Sequence, residues 1–112
     1  MNQAPKPPYY AVIFTNVRTD FEPGYAETAD RMVALAAEQP GYLGFESVRE
    51  GKDGISVSYW RDLESIKAWK AVSEHAAAQN AGRETWYKSY TTRIAGVFLR
   101  GGGGFSLKRP EP

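Results

Sequence analysis

The run YYAVIFTNV, residues 9 to 17, carries β-branched and aromatic residues on both parities, Val12 and Phe14 on one, Ala11 and Ile13 on the other. Successive strand residues point to opposite faces of a sheet, so this strand asks for cover on both sides. A chain of 112 residues holds one domain with a modest core and lacks the length for separate cofactor and substrate domains. Its own helices can cover one face of a sheet; the other face needs a second source of cover.

From Tyr25 to about Glu38, Ala29, Met32, Val33, Leu35 and Ala36 recur at helical spacing, with Glu27, Asp30, Arg31 and Glu38 mostly outward. QPGYLGF stops that helix, LGFESVRE reads as a second strand, and GKDG turns the chain into a third, ISVSYW. Asp62 is placed to cap a helix through LESIKAWK, with Ile66 and Trp69 on its buried side. A second helical piece is expected over about Ser73 to Thr85, and TWYKSYTTRIAGVFLR returns to period two. The order β-α-β-β-α-β predicts an α+β, ferredoxin-like split arrangement: a four-stranded antiparallel sheet with helices on one face. Strands apolar on both parities leave the other face too apolar for water, which predicts a homodimer. The expected organisation is a flexible arm over 1–8, where three prolines oppose regular structure, a domain over 9–100, and a glycine-rich tail over 101–112 with one aromatic, Phe105.

Composition narrows the function. Lys+Arg 14 against Asp+Glu 13 gives a net charge of +1 scattered along the chain, which argues against nucleic acid and membrane partners. The absence of cysteine removes disulfides, thiolate nucleophiles and zinc–thiolate sites, and a single histidine argues against a protein-built metal site. The start MNQAPKPPYY has no apolar signal core, so a cytoplasmic location is expected.

The lone histidine lies in EHAAAQNAGRETWY, residues 74 to 87. On one continuous helix His75, Gln79, Gly82 and Trp86 fall within roughly 40° of a line, with Arg83 beside it. His75, with an ordinary pKa near ~6.5, suits a general base or an oxyanion donor; the plainer alternative is a histidine satisfied by a carbonyl, Glu74 or Gln79. Gln79 and Arg83 can hold substrate oxygens, or Arg83 can pair with Glu84 or Glu74 on the surface. Trp60, Trp69, Trp86 and Tyr87 are core aromatics or cavity walls on which a planar ring stacks. Arg93, in mid-strand, points into a pocket or dimer seam toward a carboxylate such as Glu46, or lies on an edge and reaches out to water. The glycine run 101–104 has no lysine and no following helix, so it is not a phosphate loop.

YYAVIFT, RMVALAAEQPGYLGFESVRE, GISVSYW, WKAVSEHAAAQ and GRETWYKSYTTRI together resemble the antibiotic biosynthesis monooxygenase family of dimeric α+β barrels, over roughly residues 9 to 100. The most specific strings are QPG-Y-LG followed by ES and R, and H-x-x-A-Q-x-x-G-R-x-x-W-Y. The resemblance implies a face-to-face dimer with one cavity per subunit between sheet and helices. It also implies a monooxygenase that needs no cofactor and no metal, with molecular oxygen and a small planar aromatic or quinol-type molecule as partners, because a flat electron-rich substrate can itself give up a proton and activate oxygen. Set against the family's pattern, His75, Trp69 and Asn16 are the candidate catalytic residues, and Phe14, Gln79, Arg83, Trp86 and Tyr87 the candidate substrate-binding ones. The same family contains haem degraders, to whose asparagine, tryptophan and iron-ligating histidine Asn16, Trp69 and His75 are the nearest matches; the interval from Trp69 to His75 is about a helical turn shorter than theirs. Haem is the alternative cofactor on that reading. A non-enzymatic ligand-binding or stress-associated barrel, and an isomerase or cyclase using His75 as base, complete the alternatives.

Overall fold

The computed structural model describes residues 4–78 and 83–102, with the backbone alone for 78, 83 and 84. Gln79 and Phe105 lie outside the described residues. The elements are β1 (Tyr9–Arg18), α1 (Tyr25–Ala37), β2 (Tyr42–Glu50), β3 (Asp53–Trp60), α2 (Leu63–Ala78), α3 (Arg83–Trp86) and β4 (Tyr87–Val97). The strands form one sheet in the order β2-β3-β1-β4, every neighbouring pair antiparallel. This is the expected α+β split β-α-β-β-α-β, with α1 and α2 packed on one face. No helix among the described residues is long and apolar enough to cross a membrane.

One expectation is corrected. The helical pieces expected at LESIKAWK and from Ser73 are instead one continuous helix over Leu63–Ala78, and Arg83–Trp86 is also helical. The face drawn through His75, Gln79, Gly82 and Trp86 presumes helix across residues 79–82, which lie outside the described residues. Good helix formers at Ala68, Ala71 and Ala76 to Ala78 carry α2 through where a break was expected.

Local chemistry sets the element ends. Asp62 caps α2 as expected, its Oδ1 accepting from Ser65 N at 2.8 Å and Ser65 Oγ at 2.7 Å. Those bonds, the side-chain one first, hold the Asp62 carboxyl below the usual range. Between β2 and β3 the chain turns on Gly51 at φ +60, with Lys52 at negative φ, the pattern of a tight hairpin. The core centres on Trp60, fully buried with Ala36 and Ile66 and flanked by Tyr10, Val12, Tyr42 and Trp69. Its indole Nε1 donates to Ser58 Oγ at 2.8 Å, which removes the penalty of burying an unpaired donor.

Strand register sorts the side chains. Facing the helices, four rows cross the sheet: Arg49, Gly54, Asn16, Tyr90; then Ser47, Ser56, Phe14, Thr92; then Phe45, Ser58, Val12, Ile94; then Tyr42, Trp60, Tyr10, Gly96. The opposite face carries Ile13, Val17, Val48, Ile55 and Val57, of which Val48 is 70% and Ile55 45% exposed. Arg93 sits on that face, exposed on the edge strand β4 opposite Ile13.

Candidate functional site

Small side chains in the second row leave space between sheet and helices. Ser47, Ser56 and Thr92 flank Phe14 there, and α1 and α2 roof a cavity of about 600 Å³ above them. A cavity of that size suits a small organic molecule. Its apolar walls are Val12, Phe14, Met32, Val33, Phe45, Trp69 and Trp86. Trp69 is fixed by stacking on buried Trp60, centroids 5.7 Å apart and planes at 21°, which leaves its other side toward the cavity.

The polar groups collect at one end. Arg49 Nη2 donates to Asn16 Oδ1 at 2.8 Å and to Tyr25 Oη at 3.1 Å, while Nη1 donates to Lys52 O at 3.0 Å. Arg18, buried at 6% exposure, lies with its guanidinium carbon 3.4 Å from the centre of the Tyr25 ring. Its Nε donates to Trp86 O at 3.1 Å and its Nη2 to Phe21 O at 3.0 Å, with Glu22 at 3.4 Å. Arg18 is therefore a clamp that ties α3 and the loop after β1 to the cavity's back wall. Trp86 is held from the other side, its Nε1 donating to Pro23 O at 2.8 Å. Burial first, and then a hydrogen bond with Tyr25, push the Tyr87 phenol well above its ordinary value, so it stays protonated at neutral pH.

The structure brings together Asn16, Phe14, Trp69, Trp86 and Tyr87 in the cavity lining. Asn16 is 5% exposed and held in register between Gly54 and Tyr90. His75 is exposed on α2 and is not part of that lining, although Ser73, Glu74 and Ala77 are. At about 100° per residue it stands roughly 120° around the helix from Trp69. Arg83 is described through its backbone in α3 only.

Arg49, Tyr25 and Arg18 were not singled out from sequence. A signal for Arg49 existed: a two-residue turn at Gly51-Lys52 fixes Arg49 opposite Gly54, on the face away from Val48 and Ile55. Tyr25 and Arg18 meet through the loop between β1 and α1, which periodicity does not reach.

A sequence profile of the family described as antibiotic biosynthesis monooxygenase matches residues 8–81. The uncharacterized protein YqjZ of Bacillus subtilis (strain 168) is 53% identical over 98 residues, 87% of this chain and 86% of that protein. Among solved structures, SnoaB, a cofactor-independent oxygenase from Streptomyces nogalater, superposes with a TM-score of 0.66 at 13% identity, over 88% of this chain and all of that one. PA3566 from Pseudomonas aeruginosa does so with a TM-score of 0.59 at 19% identity, over 85% of this chain and 97% of that one. At such identities the superpositions speak for the fold. The sequence matches go further: the chain belongs to the antibiotic biosynthesis monooxygenase family.

Proposed function

We propose that this chain is a homodimeric monooxygenase that oxidises a small planar aromatic of the quinol or anthrone type without an added cofactor. The observation that supports the reading is the cavity's division of labour, aromatic at Trp69, Phe14 and Trp86 and hydrogen-bonding at Asn16, Arg49 and Tyr25. A flat ring stacks on the first group while its oxygen meets the second. For an anthrone the chemistry balances as a methylene carbon plus dioxygen giving a ketone plus water. One oxygen atom enters the product, and the carbon supplies all four electrons. The protein's part is to hold the ring, stabilise the enolate left when the carbon loses its proton, and keep bulk water from the carbanion. The exposed sheet face around Val48 and Ile55 supports the homodimer.

One observation favours a second reading, a ligand-binding protein without turnover: His75 is outside the lining, so no imidazole of the described chain stands ready as base. Oxygen-electrode measurements over a panel of anthrones and hydroquinones decide between them. The expected outcome is one dioxygen consumed per methylene oxidised, with the rate cut at least about tenfold in Asn16→Ala and Trp69→Leu, variants whose folding is checked by thermal melts because thinning this core costs about 2–5 kcal/mol. Uptake no faster than without protein across the panel favours the binder.

A further inference from the structure

The guanidinium of Arg49 reaches Asn16 by crossing β3, and it does so over a glycine. A Cβ built on Gly54 would stand 2.4 Å from Arg49 Nη2 and 2.6 Å from Cζ, inside any tolerable contact. Gly54 is not among the glycines at positive φ, so the backbone there suits any residue; the space taken by Arg49 is what the missing side chain provides. Arg49 makes no ion pair with a carboxylate among the described residues, and its Nη2 is fixed by Asn16 and Tyr25.

Other charged or titratable groups stand around that end. Arg18 is engaged by two carbonyls and Glu22. Glu74, on α2, is held by Lys70 at 2.7 Å. Asp30, on α1, is exposed in the lining. Tyr87 faces the same end from β4, and Glu50 and Asp53 occupy the neighbouring hairpin positions, opposite each other in the row beyond Arg49 and Gly54.

We infer that Gly54 is a specificity-determining position: by letting Arg49 lie across β3 it fixes a positive charge beside the ligand's oxygen, so the cavity selects the ionised form, a phenolate or enolate, over the neutral one. The inference rests on the reading above that the cavity takes a planar oxygen-bearing aromatic. A cation held within about 4–6 Å of an acid lowers that acid's pKa by about 1–3 units. Tyr25 and Asn16 stop the guanidinium from swinging away into water, as a lone surface arginine does.

The test is a spectroscopic titration with alizarin, a planar hydroxyanthraquinone whose absorption changes when its phenol ionises, in buffer containing a chelator. Bound to the wild-type protein, the dye is expected to ionise at least about 1 pH unit lower than free dye, equivalent to tenfold tighter binding of the anion. Arg49→Met removes the charge, and Gly54→Ala keeps the charge but displaces it; both are expected to abolish the shift, and Gly54→Ala is expected to bind the neutral dye within about threefold of wild type. Dye that binds without a shift, or a shift that survives in Arg49→Met, overturns the inference and leaves the cavity reading intact. A shift lost in Arg49→Met but kept in Gly54→Ala overturns the role given to Gly54. Failure of wild-type protein to bind the dye at any pH overturns the cavity reading, and this inference with it.

Discussion

Tyr59 stands on the helix-free face and donates its hydroxyl to Glu46. Burial first, and then that bond to a carboxylate, push its phenol up from the ordinary 10 to about 12. A group whose folded pKa is raised stabilises the fold in its protonated form. Its contribution is complete below the unfolded pKa of about 10 and is lost as pH rises through about 12. The side chain is only half-buried, so screening keeps the contribution small. The prediction is that wild type melts above Tyr59→Phe near pH 9 and that this gap closes between about pH 10 and 12, followed by thermal melts across that range. Any other group that titrates under alkaline conditions is shared by both proteins, so the difference isolates Tyr59. A gap that stays constant from pH 9 to 12 means that Tyr59 does not gain from Glu46.

At the scale of elements, the loop QPG between α1 and β2 is tied to the start of α2. Gly41 holds φ +86, and a Cβ there would lie 2.0 Å from Ser65 Oγ and 2.5 Å from Ser65 Cβ, in the turn that Asp62 caps. Gly51 also has positive φ, at +60, but nothing within 4 Å of a would-be Cβ. Gly41→Ala therefore combines backbone strain with a steric clash and is expected to cost about 2–4 kcal/mol, whereas Gly51→Ala meets strain alone, about 1–2 kcal/mol; urea denaturation of both variants checks the ranking. The strands and α1 were legible in the sequence because period and turn residues agree there: GKDG sets the hairpin, and apolar spacing outlines α1 to within a residue. The continuity of α2 past Lys70 was not, since nothing in Ala71 and Val72 marks whether a helix runs on. The candidate site was half legible. Trp69, Asn16, Phe14, Trp86 and Tyr87 were singled out and do line the cavity, but Arg49, Tyr25 and Arg18 enter through register and loop geometry, which no local pattern displays.

For the whole molecule, the row Glu46, Val57, Ile13 and Arg93 crosses the helix-free face from one edge strand to the other. Three strand spacings put Glu46 and Arg93 about 14 Å apart, beyond pairing within one chain. In the proposed homodimer, a two-fold axis lying in that face can place a partner's row over this one in two ways. With the axis along the strands, each β2 lies over the partner's β4 and acid meets base twice; with the axis across them, Glu46 faces Glu46 and Arg93 faces Arg93. Complementarity favours the first, with Ile13 and Val57 in the centre covering the apolar strip. Arg93→Glu is then expected to weaken dimerisation at least about tenfold, since it turns two attractions into two repulsions, and Arg93→Glu combined with Glu46→Lys restores it by reversing both signs. Sedimentation equilibrium at low ionic strength reads both, and added salt narrows the difference because exposed pairs are screened. Unchanged association in the single variant excludes this axis. Loss of association in both variants, with the fold intact by circular dichroism, shows that Arg93 contributes through its aliphatic stem and not through pairing with Glu46.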